Sequence, residues 1–297
     1  MILKDLPVGT KVREPQSSLA FLVADHNHIA YSGTSLVTDC AVKLASFDAA
    51  EADNPEKDQQ EYGNNFYPLS NIHQWLNSNE TNWFKPAHQF DASPVLKNID
   101  QGRQDFYDFP FYSTEAKFTG NFSYNNEPGF LTWFTREFVD SLCEVNVQCC
   151  VPAVPGERRQ GPATSAYFKS RVFLLSAPEI GLEHSKNSAE GFRFSLFNDG
   201  RMRVVAPIPA AVGQPADYVY DDCSLFYWLR TPAPGSSDAA MIYNAEHRNG
   251  DTNGSPTGRL PARAICGVRP ALNIESGLSV SDEPDMYGVY SLILGVG

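Results

Sequence analysis

The chain has 297 residues, 42% of them hydrophobic and 12% aromatic, enough for one large globular domain with a ring-rich core or for two ordinary ones. A net charge of −12 argues against a duplex nucleic-acid partner, because phosphate neutralisation needs clustered Lys and Arg. No apolar stretch approaches a membrane span and Met1-Ile2-Leu3-Lys4-Asp5 lacks a basic region followed by an apolar run, so neither membrane insertion nor a signal peptide is expected.

In chain order, Leu6-Pro7-Val8-Gly9, Leu19 to Ala24, Ile29-Ala30-Tyr31, Leu36-Val37 and Ala41 to Phe47 read as short strands with turn punctuation. Asp48 to Asn65 is an acidic, polar surface loop. Ser70 is placed to cap a helix that presents Ile72, Trp75 and Leu76 on one face and ends near Asn77-Ser78-Asn79. Asn82 to Tyr112 is irregular, with Phe84, Phe90, Phe106, Phe109 and Phe111 as packing rings. The strongest helical pattern is Phe130 to Leu142, where Phe130, Phe134 and Phe138 recur at every fourth position. Arg171 to Leu175 reads as a buried strand. Ser176-Ala177-Pro178-Glu179 has capping-box spacing and predicts a short helix through Leu182. Phe192 to Val205, turning at Asn198-Asp199-Gly200, predicts a hairpin. Repeats and a domain boundary are not evident, so residues 1–297 read as one domain.

Motifs for chemistry are sparse. Asp25-His26-Asn27-His28 has two histidines at i, i+2 and no further ligand nearby in sequence, which favours a turn with a locally bonded His over a metal site. A nucleophile elbow, a glycine-rich phosphate loop and EF-hand spacing are all missing. Asp221-Asp222 and Asp282-Glu283 sit in polar runs and read as solvated. The 6 cysteines, at 40, 143, 149, 150, 223 and 266, include no C-x-x-C. They read as reduced, mostly buried thiols of a protein made in a bacterial cytosol, with a disulfide between two distant cysteines as the alternative. The expectation is therefore no catalytic residues, no metal and no cofactor.

One region differs, from Phe226 to Ile274. Tyr227-Trp228-Leu229-Arg230-Thr231-Pro232 and Cys266 to Asn273 read as buried strands. The insert between Trp228 and Gly267 reads as exposed turns dense in polar contact makers. Arg230 and Arg269 lie inside apolar strands and must be paired or bonded to backbone oxygens, so with Trp228 they are assigned to the scaffold. The ligand-contact candidates are Tyr243, Asn244, Glu246, His247, Arg248, Asp251, Asn253 and Arg259, with Ser237, Asp238 and Arg263 beside them. Tyr offers rigid contact area, Arg a bidentate fork, and Asn and Asp adaptable hydrogen bonds.

The run Tyr227 to Pro232, Gly267-Val268-Arg269-Pro270-Ala271-Leu272 and Ser70 to Asn77 resemble a large family of uncharacterised proteins from phage tails and prophages of gut bacteria. Gly129-Phe130-Leu131, Arg171 to Leu182, Tyr62-Gly63-Asn64-Asn65 and Leu6 to Gly9 fit the same family, so the resemblance spans nearly the whole chain. That family looks like the C-type-lectin fold in its formylglycine-generating-enzyme variety, with Gly267-Val268-Arg269 similar to the Gly-Phe-Arg motif of those enzymes. The fold also carries the variable receptor-binding proteins of diversity-generating retroelements, whose hypervariable positions correspond to the insert between Trp228 and Gly267. The resemblance implies an α+β domain with a small, twisted antiparallel sheet, two main helices and many long loops. It further implies a receptor-binding or adhesive protein on a virion or cell surface, as a homo-oligomer or tail-mounted array, whose partner is a host-surface protein or glycan. Two departures limit the carry-over. The C-x4-C pair of formylglycine-generating enzymes is missing, and Gln214-Pro215-Ala216-Asp217 breaks the Gln-Pro-Asp motif of calcium-dependent lectins. Neither that enzyme activity nor calcium-dependent sugar binding is therefore expected. The rival readings are an oxidase or hydrolase on the same fold and a structural tail or baseplate protein.

Overall fold

The computed structural model describes residues 1–47, 67–81, 128–150, 165–182, 190–205, 227–232, 241–246, 255–261 and 265–295; of residues 46, 69, 241–246, 255–261 and 265 it describes the backbone. The described residues form a mixed α+β structure that is mostly sheet, with two short helices, α1 (Asn71–Leu76) and α2 (Arg136–Asp140).

The strands are β1 (Lys11–Arg13), β2 (Ala20–Asp25), β3 (Thr34–Thr38), β4 (Lys43–Ser46), β5 (Val145–Cys150), β6 (Ser165–Ser170) and β7 (Val172–Leu174), followed by β8 (Tyr227–Pro232), β9 (Met241–Glu246), β10 (Ser255–Pro261), β11 (Ile265–Val268), β12 (Pro270–Ile274), β13 (Ser279–Val280) and β14 (Val289–Ile293). They sort into a seven-stranded sheet of order β13-β14-β1-β2-β3-β12-β7, a five-stranded sheet of order β10-β9-β8-β11-β4, and the pair β5-β6. The expected single small sheet is thus two larger ones and a ribbon. Pairing is antiparallel except for β1 with β14 and β11 with β8, the first of which sets the two ends of the chain side by side. One hydrophobic cluster runs through these elements from Leu3 to Leu292.

The two large sheets meet where the chain crosses between them. After Val268 in β11 the next strand begins at Pro270 in β12, so Arg269 alone spans the passage. A second crossing runs from β3 to β4, and there the Val42 N–H donates to Val268 O at 2.8 Å. The anchors around residues 227 and 269 therefore form the seam of the molecule.

Ser70 caps α1 with its side chain, accepting from the His73 N–H, and Asn77 closes it. All six helical residues are buried, so this helix passes through the core instead of lying on it with one face. The strand pattern of the N-terminal region locates β2, β3 and β4. Leu6 to Gly9 and Ile29 to Tyr31, read as strands, are turns and bends; Gly9 has φ +90° and Ile29 is 76% exposed.

Three further expectations are corrected. The helix expected over Phe130 to Leu142 is a 3₁₀ turn, Phe130–Trp133, followed by α2. Phe134 is extended (φ −107°, ψ 159°) and Thr135 accepts from the Phe138 N–H, so the threonine starts a new helix where the periodicity suggested a continuous one. The phenylalanine ladder survives the break: ring centroids lie 5.0 Å apart for Phe130–Phe134 and 4.8 Å for Phe134–Phe138. Ser176 to Leu182 makes both capping-box bonds, Ser176 N–H to Glu179 Oε2 (3.0 Å) and Glu179 N–H to Ser176 Oγ (3.3 Å), but no helix follows. Gly181, at φ +74°, ends the first turn. The expected hairpin of residues 192–205 is a pair of 3₁₀ turns, Ser195–Asn198 and Gly200–Arg203. A strand would set Leu196 and Phe197 on opposite faces, whereas the tight turn buries both, and Asp199 caps the second turn through the Arg201 N–H.

Candidate functional site

Strand β8 is buried at every position, and its Arg230 has no solvent exposure. A guanidinium offers five N–H donors, and here each has an oxygen acceptor. Nε donates to Gln148 O (3.0 Å); Nη1 donates to Leu174 O (2.7 Å) and Glu179 Oε2 (2.5 Å); Nη2 donates to Glu179 Oε1 (2.7 Å) and Glu190 O (3.1 Å). The Glu179 carboxylate is equally filled, since it also accepts from the Tyr31 hydroxyl and the Ser176 N–H. Burial works to strip the charge from Arg230, but Glu179, then Tyr31, hold its pKa above the ordinary arginine value. A second carboxylate, Glu190, is also fully buried and accepts from the Cys150 N–H at 2.7 Å. Burial raises its pKa, against the opposing pull of Arg230. Tyr31 and Cys149 are likewise pushed up, first by burial and then by these carboxylates.

Arg269 is placed differently. It is 1% exposed, yet among the described residues its nitrogens meet only two carbonyls with good geometry: Nε donates to Thr38 O (3.1 Å) and Nη1 to Met202 O (2.9 Å). Its other neighbours are the rings of Tyr227 (5.4 Å) and Phe197 (5.7 Å), which offer their π faces to the cation. No carboxylate pairs with it among the described residues. Among the described residues the Tyr227 hydroxyl beside it is buried and makes no well-aligned hydrogen bond, as is the case for Thr38 Oγ1; burial raises the Tyr227 pKa and the adjacent Arg269 opposes that rise. Trp228 completes the seam, with Nε1 donating to Ala45 O at 2.8 Å and its ring edge-on to Phe47 at 5.7 Å.

Onto this frame the chain builds β9 and β10. Asn244 stands opposite Trp228 on one side and Gly258 on the other; Tyr243 pairs with Arg259, and Ser255 with Glu246 across a register shift. The candidate contacts Tyr243, Asn244, Glu246 and Arg259 are thus held in a two-stranded ladder. The insert was expected to consist of turns; it contributes two paired strands, because backbone groups beside a buried strand gain most by continuing its hydrogen-bond ladder. Ser237, Asp238, His247, Arg248, Asp251, Asn253 and Arg263 lie outside the described residues, as do residues 48–66 and 82–127 with their acidic and aromatic candidates. Strand β10 is the outer strand of its sheet among the described residues, and it contains Pro256 and Pro261. Proline cannot donate to a further strand, so this edge is poorly suited to strand addition.

Glu179, Glu190 and Tyr31 were not singled out from sequence, although the frame depends on them. The signal was Arg230 itself: an arginine in an apolar strand calls for a carboxylate, and Glu179 was read only as a helix-capping residue. The histidine pair is bonded locally only in part: His28 accepts from the Ala30 N–H (3.3 Å) and His26 reaches Thr34 Oγ1 (3.2 Å), but His26 also reaches Leu6 O (2.6 Å) and His28 reaches Phe192 O (2.8 Å), far away in the chain. Among the described residues, no group of three or more His, Cys, Asp or Glu could hold a metal ion, and no helix is long and apolar enough to cross a membrane. The five described cysteines, Cys40, Cys143, Cys149, Cys150 and Cys266, are not joined in disulfides.

A family model described as a domain of unknown function, DUF6273, matches residues 32–276. The chain belongs to the DUF6273 family. The match runs from just before β3 to just after β12, so it takes in the whole five-stranded sheet with Arg230 and Arg269. The strands outside the DUF6273 span are β1, β2, β13 and β14, which are neighbours along one side of the seven-stranded sheet. No curated protein and no solved structure matches the chain.

Proposed function

We propose that this protein is a binding module in which a buried polar seam, closed around Arg230, fixes β8, and β8 in turn presents the β9–β10 ladder and its adjoining segments to a partner. The observation that carries the reading is the register Trp228–Asn244–Gly258, which ties a hairpin of polar contact residues directly to a strand buried at every position. Rigid support lowers the entropy lost when contact residues are immobilised. The prolines of β10 favour recognition through side chains over strand addition. The resemblance to phage-tail and prophage proteins supports a more specific form of the proposal. The protein acts as the receptor-binding or adhesive tip of a virion or bacterial surface, in a C-type-lectin-like fold, as a homo-oligomer or array whose avidity strengthens weak single sites, with a host-surface protein or glycan as partner. Diversification of the segment between Trp228 and Gly267 by a retroelement belongs to the same reading.

The test replaces Tyr243, His247 and Arg248 together with alanine and measures attachment to host cells beside the thermal midpoint. Attachment should be lost with the midpoint nearly unchanged. Attachment that survives the triple substitution moves the binding site away from this hairpin.

A further inference from the structure

Among the described residues, eight large apolar side chains are exposed, and six of them, Met1, Val8, Ile29, Phe192, Met286 and Tyr287, gather at one end of the seven-stranded sheet. The register places them there. Lys11 at the start of β1 pairs with Val289 at the start of β14 and with Leu22 in β2. Asp25 at the end of β2 pairs with Ser35 in β3, and Thr34 at the start of β3 pairs with Ile274 at the end of β12. The turns that carry Val8 before β1, Ile29 between β2 and β3, and Met286 and Tyr287 before β14 therefore all leave the sheet at the same end. Met1 and Phe192 are tied to these turns. The Met1 amino group meets Asp282 Oδ1 at 2.9 Å, and His28 Nε2 donates to Phe192 O at 2.8 Å. The passages to the five-stranded sheet, after β3 and before β12, lie at the opposite end.

The turns are fixed before anything docks on them. Asp285 Oδ1 accepts from the Tyr287 N–H (2.9 Å) and the Val289 N–H (3.0 Å), and its Oδ2 pairs with Arg13 (3.0 Å). Met286 and Tyr287 thus stand in solvent, 88% and 75% exposed, on a turn whose backbone is already bonded. His26 bridges the two neighbouring turns, from Leu6 O to Thr34 Oγ1. Contact residues held this way lose little entropy on docking. At roughly 200 Å² for a large side chain, the six together expose on the order of 700 Å². That exceeds the few hundred Å² usual for a monomer's apolar patch and approaches the roughly 800 Å² that each partner buries in a stable protein interface. The charges at this end have both signs: Lys4, Asp5, Glu275 and Glu283 are exposed there, and none is in an ion pair among the described residues. A two-fold contact can set Lys4 of one copy against a carboxylate of the other, whereas three carboxylates to one lysine disfavour an anionic surface.

We infer that this end of the seven-stranded sheet is the surface through which two copies of the chain associate, the turns of residues 6–10, 26–33 and 284–288 of each copy packing against those of the other. The contact leaves the opposite end of the sheet uncovered, so the dimer carries two free β9–β10 hairpins. The inference stands on these turns alone and does not rest on the hairpin's function.

The test is sedimentation of the full chain over a range of concentrations. Wild type should show a reversible monomer–dimer equilibrium. Met286→Ser combined with Tyr287→Ser should weaken the dimer about a hundredfold, as expected when two large apolar side chains no longer gain from burial, with the secondary structure of the monomer unchanged by circular dichroism. Ile29→Asp, on a different turn, should weaken it about tenfold or more. Tyr167→Ser removes a comparably exposed ring from β6 and should leave the dissociation constant at the wild-type value. A chain that is monomeric at every concentration, or a dimer that the Met286 and Tyr287 substitutions leave intact, overturns the proposal. So does a monomer that floats with phosphatidylcholine vesicles, which would make this end a membrane-facing surface. A dimer lost instead on replacing Tyr243, His247 and Arg248 puts the contact on the hairpin and overturns it as well. Host-cell attachment is read separately, so the hairpin's binding role can fail while the dimer stands.

Discussion

Two buried arginines frame the insert, Arg230 within β8 and Arg269 at the passage from β11 to β12, and they are stabilised in opposite ways. Arg230 spends five donors on five oxygens and shares a filled carboxylate with Tyr31. Arg269 has two carbonyls, two aromatic faces and no described carboxylate. The first is a closed ionic network that locks β8 against β5, β7 and the turn at Ser176. The second is a cation at the passage between two sheets, held by backbone and rings. The difference predicts how each should fail. Breaking a closed network strands charges, whereas removing an isolated cation strands only carbonyls, which tolerate partial satisfaction better.

The largest effect should come from Arg230→Met. It leaves Glu179 and Glu190 buried together without a cation, and loss of one partner of a buried pair costs about 3–5 kcal/mol. Denaturant unfolding should show that loss or a failure to fold. Adding Glu179→Gln and Glu190→Gln to Arg230→Met should recover much of it, since the stranded charges are then gone. Arg269→Met should cost less, about 1–3 kcal/mol, the scale of a few hydrogen bonds. If Arg269→Met proves as damaging as Arg230→Met, the distinction between the two sites fails.

A third effect depends on pH. Glu190 has a raised pKa in the folded chain, because burial outweighs the pull of Arg230. The folded state therefore holds the Glu190 proton more tightly than the unfolded state does. The stability from this group is fully present below the ordinary carboxyl value of 4.5 and is lost as pH rises through the higher folded value. Glu190→Gln keeps an oxygen for the Cys150 N–H and removes the titration. At neutral pH the variant should match or exceed wild type in thermal midpoint, and its advantage should vanish on acidification toward 4.5. A variant less stable than wild type at neutral pH would mean that the Glu190 charge is needed by Arg230.

Much of the seam was legible in the sequence. Trp228, Arg230 and Arg269 stand out because bulky or charged residues inside apolar runs require specific partners, and Ser70 as a cap follows from local chemistry. The failures share a cause: each extended a local pattern past a residue that redirected it. Thr135 broke the phenylalanine helix by capping, Gly181 stopped the turn after Glu179, and Asp199 converted a hairpin into 3₁₀ turns. The partners of Arg230 could not be assigned from spacing, because Tyr31, Gln148 and Glu190 are brought together only by the packing of distant segments. The strands of the insert were missed for a related reason. Met241 to Glu246 lacks a strong alternating pattern, and its extended form comes from pairing with β8.

The smallest effect is the most discriminating, because it compares two tyrosines that differ by one bond. Tyr31 donates its hydroxyl to Glu179, so Tyr31→Phe removes a hydrogen bond to a charged group and should cost about 1.5–3 kcal/mol. The Tyr227 hydroxyl is buried beside Arg269 without a well-aligned partner among the described residues, so Tyr227→Phe removes a desolvated polar atom and keeps the ring face that the cation uses. That substitution should change stability by no more than about 0.5 kcal/mol, or raise it. Denaturant midpoints of the two variants measured side by side would decide the matter. A clear loss in Tyr227→Phe would show that the hydroxyl does satisfy Arg269, and the seam would then have two closed networks where the present geometry gives one.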